Sequence, residues 1–195
     1  RLPAAPVPGP VLAVLRALPA TTKPMDALRT AVSAWGATQE LPFPATVEQA
    51  RALTAFSPSA LAAFARLRTG QEPIEPDPAL DLVEGFLYQL TGARPDAGTT
   101  RALDAYFIVG AEHSFNASTF TARVITSTRS DIASAVVGAI GTMKGPLHGG
   151  APGPVLDMLT VIGSEANAEA WLRGELAAAR RTMGFGHRGY KVRDP

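Results

Sequence analysis

Cysteine is absent from this 195-residue chain. That removes disulfides and thiolate metal sites at once, and it fits a reducing compartment. An excess of charge of either sign is lacking too: 18 Lys and Arg stand against 17 Asp and Glu, for a net charge of +1. A chain so balanced gives no electrostatic ground for binding nucleic acid or an anionic membrane. No apolar run reaches the ~18 residues that a membrane-spanning helix needs. The stretch 1–20 has the basic residue and apolar tract of a secretory signal, but Pro3, Pro6, Pro8 and Pro10 break it and Arg16 interrupts the rest, so that reading is rejected. Alternating β-branched runs, the mark of half-buried strands, are nearly missing.

Alanine and leucine at helical spacing fill most of the chain; with 46% hydrophobic residues it reads as globular, and its 195 residues suffice for one domain with a core, or for one domain plus part of another. Thr22 is expected to cap a helix carrying Leu28, Val32 and Trp35 on one face. A second helix is expected from about Thr46 to Gly70, with a kink or break at Pro58. Residues 71–78, with three prolines, read as an extended connector. Helical pattern resumes near Pro78 and stops at Gly92, then recurs over 99–112, 117–126 and 132–143, the last capped by Asp131. After the break at 145–150 come helices over roughly 154–162 and from a Ser164 cap onward. No internal repeat or heptad run is present. The expected fold class is all-α.

The chain has three histidines, His113, His148 and His187, far apart in sequence. No two sit four apart, so a helical zinc motif is not available. His148 is bracketed by Gly145, Pro146, Gly149 and Gly150, and glycine lets backbone approach a ligand closely. Just ahead of a helix, an imidazole there can donate a hydrogen bond to a carbonyl as an electrophile; the alternative is a plain turn between helices. His187 lies in Gly184-Phe185-Gly186-His187-Arg188-Gly189, which matches the G-x-G-x-x-G dinucleotide pattern in letters only, because helical sequence rather than a strand precedes it. With Arg188 and Lys191 nearby it can hold an anionic ligand, or it is a glycine helix end with a basic tail. His113-Ser114 lacks the G-x-S-x-G context of a serine hydrolase. Asn116 and Ser118 either orient a ligand or another side chain, or cap the helix at Ala117.

Three segments together, Glu112-His113-Ser114-Phe115-Asn116-Ala117-Ser118-Thr119, Lys144-Gly145-Pro146-Leu147-His148-Gly149-Gly150-Ala151 and Gly184-Phe185-Gly186-His187-Arg188 with Lys191, Asp194 and Pro195, resemble the citrate synthase family in order and spacing. A weaker match runs through Pro24–Thr30, and the similarity extends from about Met25 onward. The resemblance implies a two-domain, mainly helical, cytoplasmic homodimer, with a large domain over about 1–148 and a small one beginning near 149, and an active site in the cleft between them. It implies acyl-CoA and oxaloacetate as substrates and no metal or redox cofactor.

Carried over by position, His148 resembles the group that stabilises the enol of the thioester, and His187 the one that polarises the oxaloacetate ketone. His113 resembles a histidine that helps bind oxaloacetate, with Asn116 and Ser118 supporting residues near His148. Met183, Gly184, Phe185 and Gly186 resemble the loop that recognises the CoA adenine, and Lys191 a basic position near CoA phosphate. Gly189 departs from the family's branched aliphatic residue. None of Asp131, Asp157 or Asp194 matches the family's catalytic aspartate, and an arginine expected after Pro195 is not in the sequence. With Arg1 in place of an initiator Met, the chain reads as an internal fragment, expected to be inactive alone. Acetyl-CoA condensation to citrate, propionyl-CoA condensation to 2-methylcitrate, and a non-catalytic CoA- or carboxylate-binding homologue all remain open.

Overall fold

A computed structural model describes residues 2–150 and 152–185. Among the described residues all regular structure is helical: α1 Gly9–Ala17, α2 Pro24–Ala37, α3 Val47–Leu67, α4 Leu82–Thr91, α5 Ala97–Gly110, α6 Ala117–Thr126, α7 Ile132–Met143, α8 Pro152–Ile162 and α9 Glu165–Ala177. The chain divides after Thr142 into two compact units.

Spacing of apolar residues builds the core of the first unit. Ala27, Ala31 and Trp35 recur every fourth position on α2, and Leu53, Phe56, Ala60, Ala63 and Phe64 form the inner face of α3. They enclose Val11 and Leu15 of α1 and Ala133 and Ile140 of α7. Trp35 and Phe56 stack at 5.7 Å between centroids, within the range favoured by aromatic pairs. Phe56 and Phe64 are almost wholly buried, each contributing about 1.5–3 kcal/mol by leaving water.

Several ends differ from expectation. Thr22 does not cap α2; the cap position is Lys23 with Pro24 in the first turn, where a missing amide costs nothing. The same device starts α1, which periodicity alone had not suggested, with Pro10 in its first turn. Pro58 does not break α3, which runs unbroken through it from a Thr46–Gln49 capping box. Helix α4 begins at Leu82 rather than near Pro78, because Asp81 and Glu84 form a second capping box. Asp96 caps α5 earlier than expected. Ser164 stands at the cap of α9 without a side-chain cap bond. Gly92 ends α4 in the left-handed region, φ 81°, as glycine allows.

The connector between α3 and α4 is tied at several points. Arg16 pairs with Glu72 through its two terminal guanidinium nitrogens, Arg66 Nε donates to the Glu72 carbonyl at 2.6 Å, and Arg94 pairs with Asp77. Deeper, Gln89 Nε2 donates to the Ile74 carbonyl at 3.1 Å while its Oε1 accepts from Ser59 Oγ at 3.0 Å. Ser59 and Gln89 are both buried, so neither partner has water to fall back on. Gln89→Leu should therefore cost about 1–3 kcal/mol in urea unfolding, and the double variant Ser59→Ala/Gln89→Leu less than the sum of the two singles.

Helix α7 starts from Asp131, whose carboxylate accepts from Ser134 N at 2.8 Å and Ser134 Oγ at 2.7 Å. Partial burial works to raise its pKa, but the Ser134 hydrogen bonds and backbone amides outweigh that and hold it below the usual value. A folded-state pKa below the unfolded ~3.9 means the charged cap stabilises the fold above that pH and is lost as pH falls through the folded value. Asp131→Asn is expected to unfold at lower urea than the parent at pH 7, with the gap narrowing below about pH 4.

Candidate functional site

The His113 segment is a short exposed turn between α5 and α6. Asn116 holds it from one side and starts α6 from the other. Its Oδ1 accepts from Ser118 N at 3.0 Å, Thr119 N at 3.0 Å and Ser118 Oγ at 2.7 Å, capping the helix. Its Nδ2 reaches back to the carbonyls of Ser114 at 3.2 Å and His113 at 3.4 Å. Of the two readings of Asn116, the cap is what the structure shows, and its Nδ2 ties that cap to the main chain of the preceding turn. Ser118 is buried beneath it.

Ser114 has φ 52°, a left-handed backbone that non-glycine residues rarely adopt. It is held there by three contacts: Glu112 Oε1 accepts from its amide at 2.6 Å, and its carbonyl accepts from both the amide and the side chain of Asn116. A residue kept in this region beside a candidate ligand-binding histidine is the kind of strain found at functional sites. Nothing in the sequence pattern marked Glu112 for this role. Beyond the cap, Phe115 and Phe120 meet edge to face at 6.0 Å and Arg123 lies 5.2 Å over the Phe115 ring.

His148 belongs to the second unit, on the turn that follows α7. Its amide donates to the Gly145 carbonyl at 3.0 Å, and Gly150 N donates to the same oxygen at 3.1 Å. The flanking glycines have a more local reason than ligand approach. A Cβ on Gly149 would stand 2.8 Å from the Met143 carbonyl oxygen, and one on Gly150 would stand 2.9 Å from that of Gly145. The turn thus folds tightly against its own backbone, leaving the half-buried His148 side chain on a short, constrained segment. Helix α8 begins at Pro152, consistent with the expected helix just beyond.

Met183, Gly184 and Phe185 form a turn after α9. Gly184 has φ 86°, and a Cβ there would meet Val155 of α8 at 3.1 Å, so both backbone and space favour glycine. Phe185 is exposed. Gly186, His187 and Lys191 lie outside the described residues. Of the three histidines, His113 is therefore placed in the first unit and His148 in the second. Among the described residues no group of three His, Asp or Glu side chains is arranged to hold a metal, and no helix is long and apolar enough to cross a membrane.

Residues 2–195 match the family model for the C-terminal domain of citrate synthase, and the chain belongs to the citrate synthase family. It is 45% identical over 186 residues to a 2-methylcitrate synthase of Mycobacterium tuberculosis, covering 94% of this chain and 47% of that protein. To a citrate synthase of Synechocystis it is 44% identical, over 93% of this chain and 47% of that one. Citrate synthase from Thermotoga maritima superposes with a TM-score of 0.80 at 40% identity, over 97% of this chain and 50% of that chain. A ternary complex of the Thermoplasma acidophilum citrate synthase with carboxymethyl coenzyme A and oxaloacetate superposes at 0.81 with 28% identity, over 97% and 51%. The chain thus spans about half the length of the relatives it matches.

The two ends of the Asn116 amide are separable. Asn116→Asp keeps the cap acceptor and removes the donors to Ser114 and His113. Hydrogen exchange over 112–116 is expected to quicken by up to about tenfold while the Ser118 and Thr119 amides stay protected. Asn116→Ala should expose both sets and cost about 1 kcal/mol.

Proposed function

We propose that the protein carrying this chain condenses an acyl-CoA with oxaloacetate, the acetyl-CoA reaction giving citrate and CoA. The observation that carries the reading is the presence, in order, of the three histidine segments in a chain 44% identical to a citrate synthase over 93% of its length. In this reading a base removes a proton from the acyl α-carbon while His148 donates a hydrogen bond to the thioester oxygen and stabilises the enol. The α-carbon then attacks the ketone carbon of oxaloacetate, whose oxygen accepts a hydrogen bond from His187. Hydrolysis of the thioester releases CoA. We assign the base to none of Asp131, Asp157 or Asp194.

His113 helps bind oxaloacetate in this scheme, through a turn whose shape Asn116 and Glu112 maintain. Asn116 and Ser118 also stand as supports for His148. Met183, Gly184, Phe185 and Gly186 form the CoA adenine loop, with Lys191 near a CoA phosphate. The domain boundary is proposed near residue 148, at the close turn over 145–150 and just past the division after Thr142. The scheme rests on acid–base and hydrogen-bond chemistry by protein side chains, so it includes no metal or redox cofactor.

A homodimer is part of the proposal. On α5, which has no buried residue, Tyr106, Ile108 and Val109 are 63%, 69% and 82% exposed, an apolar surface that a second copy would cover. A cytoplasmic setting completes it, compatible with the cysteine-free sequence.

The 2-methylcitrate reading has its own support in the 45% identity to the mycobacterial 2-methylcitrate synthase. One methylene in an apolar pocket is worth only about 1–3 kcal/mol, so kcat/KM with acetyl-CoA against propionyl-CoA separates the two. Thiol release dependent on oxaloacetate should be seen with at least one of them in the protein as encoded. His148→Ala and His187→Ala should each lower kcat by about 10²–10³-fold, the scale of losing one oxyanion donor. Oxaloacetate and CoA binding without any turnover would favour the non-catalytic homologue instead.

A further inference from the structure

Helices α6 and α7 form an antiparallel hairpin joined by residues 127–131. Two contacts fix how they pass. A Cβ on Gly138 of α7 would stand 2.3 Å from Ile125 Cδ1 of α6, so α6 occupies the space that a side chain at 138 would take. One turn on, Thr142 Oγ1 lies 2.9 Å from Thr121 Oγ1. Thr121 Oγ1 in turn donates to the Ala117 carbonyl at 3.0 Å. A line of hydroxyls therefore runs from α7 into the first turn of α6, where Asn116 begins its grip on Ser114 and His113.

We propose that Gly138, Ile125, Thr121 and Thr142 are positioning residues for His113: the α6–α7 crossing sets where the histidine turn stands, and with it the affinity for the oxaloacetate dicarboxylate. None of the four is proposed to touch the ligand. The inference rests on the reading of His113 as an oxaloacetate-binding group. Its physical basis is that α6 moves as a rod. The amide of Asn116 couples its first turn to the His113 carbonyl, so a shift of α6 along or away from α7 carries the turn with it. A misplacement of about 1 Å, even from a change far from the chemistry, can cost about 10²-fold in rate. Both contacts lie within the first unit and leave the CoA-loop residues of the second untouched.

Gly138→Ala introduces a methyl where Ile125 Cδ1 now sits, and Ile125→Val removes that Cδ1. The pair forms a complementary exchange of one carbon. In the protein as encoded, Gly138→Ala is expected to raise the oxaloacetate Kd measured by calorimetry, and KM for oxaloacetate, by about tenfold, the scale of one hydrogen bond's net worth. KM for acyl-CoA should stay within about twofold, any disturbance passed by Asn116 and Ser118 to His148 appearing in kcat, and the double variant Gly138→Ala/Ile125→Val should return oxaloacetate affinity to near the parent value. Thr142→Val should weaken oxaloacetate binding in the same selective way, and Thr142→Ser, which keeps the hydroxyl, should not. The threonine variants decide the matter if Gly138→Ala does not fold. Unchanged oxaloacetate affinity in folded Gly138→Ala and Thr142→Val would overturn the proposal, as would equal losses for both substrates. A parent protein that binds oxaloacetate but turns over neither acyl-CoA refutes the condensing reading alone, because the binding measurement still reads the crossing.

Discussion

When one helix has no side chain at a contact, its neighbour can approach by roughly the width of a methyl group, and the separation of helix axes follows from such choices. Helix α7 uses this twice. Against α2, a Cβ on Gly36 would meet Ala133 Cβ at 2.5 Å, and against α6, one on Gly138 would meet Ile125 at 2.3 Å. With small residues on both flanks, α7 is gripped between two helices, and only Ala133, Ala135 and Ile140 along it are fully buried. The placement of α6 depends on that grip, and the His113 turn depends on α6. Interiors packed to this density transmit a displacement of one element to the next, so a single missing methyl has consequences at the start of α6.

The first unit has what a stable scaffold requires: stacked rings at its centre, capping boxes at two helix starts and a satisfied polar pair beneath the 71–78 connector. The second differs. Neither α8 nor α9 has a buried residue, and Leu147, Leu156, Val161 and Leu176 are all exposed. Apolar side chains without a core of their own are ordinarily completed by further packing partners. The His148 turn gains its definition instead from close backbone contacts after α7, which depend on chain geometry more than on a surrounding core.

Much of the fold was legible because helical periodicity is a strong local signal. The spans 117–126 and 132–143 and the Asp131 cap were read from residues alone and match α6 and α7. Proline was harder to read. Pro10 and Pro24 sit in first turns and Pro58 inside α3, and only tertiary packing decides whether a helix tolerates the lost amide bond. In the candidate site, the sequence pointed to His113 and Asn116 but not to what holds them. The Glu112–Ser114 contact, the left-handed Ser114 and the Thr121–Thr142 pair depend on backbone direction and on a partner 21 residues away, neither of which a motif records. The glycines beside His148 were legible as necessary, while their reason, the approach of the Met143 and Gly145 carbonyls, needed coordinates.

Imidazoles at 113, 148 and 187 are proposed to serve one reaction. A crystal structure of the protein as encoded, with oxaloacetate and carboxymethyl coenzyme A bound, tests it most directly. The expected result is hydrogen bonds of about 2.7–3.2 Å from His113 and His187 to oxaloacetate and a contact from His148 to the thioester end of the CoA analogue. The three rings lying on separate surfaces, with ligands bound elsewhere, would contradict it.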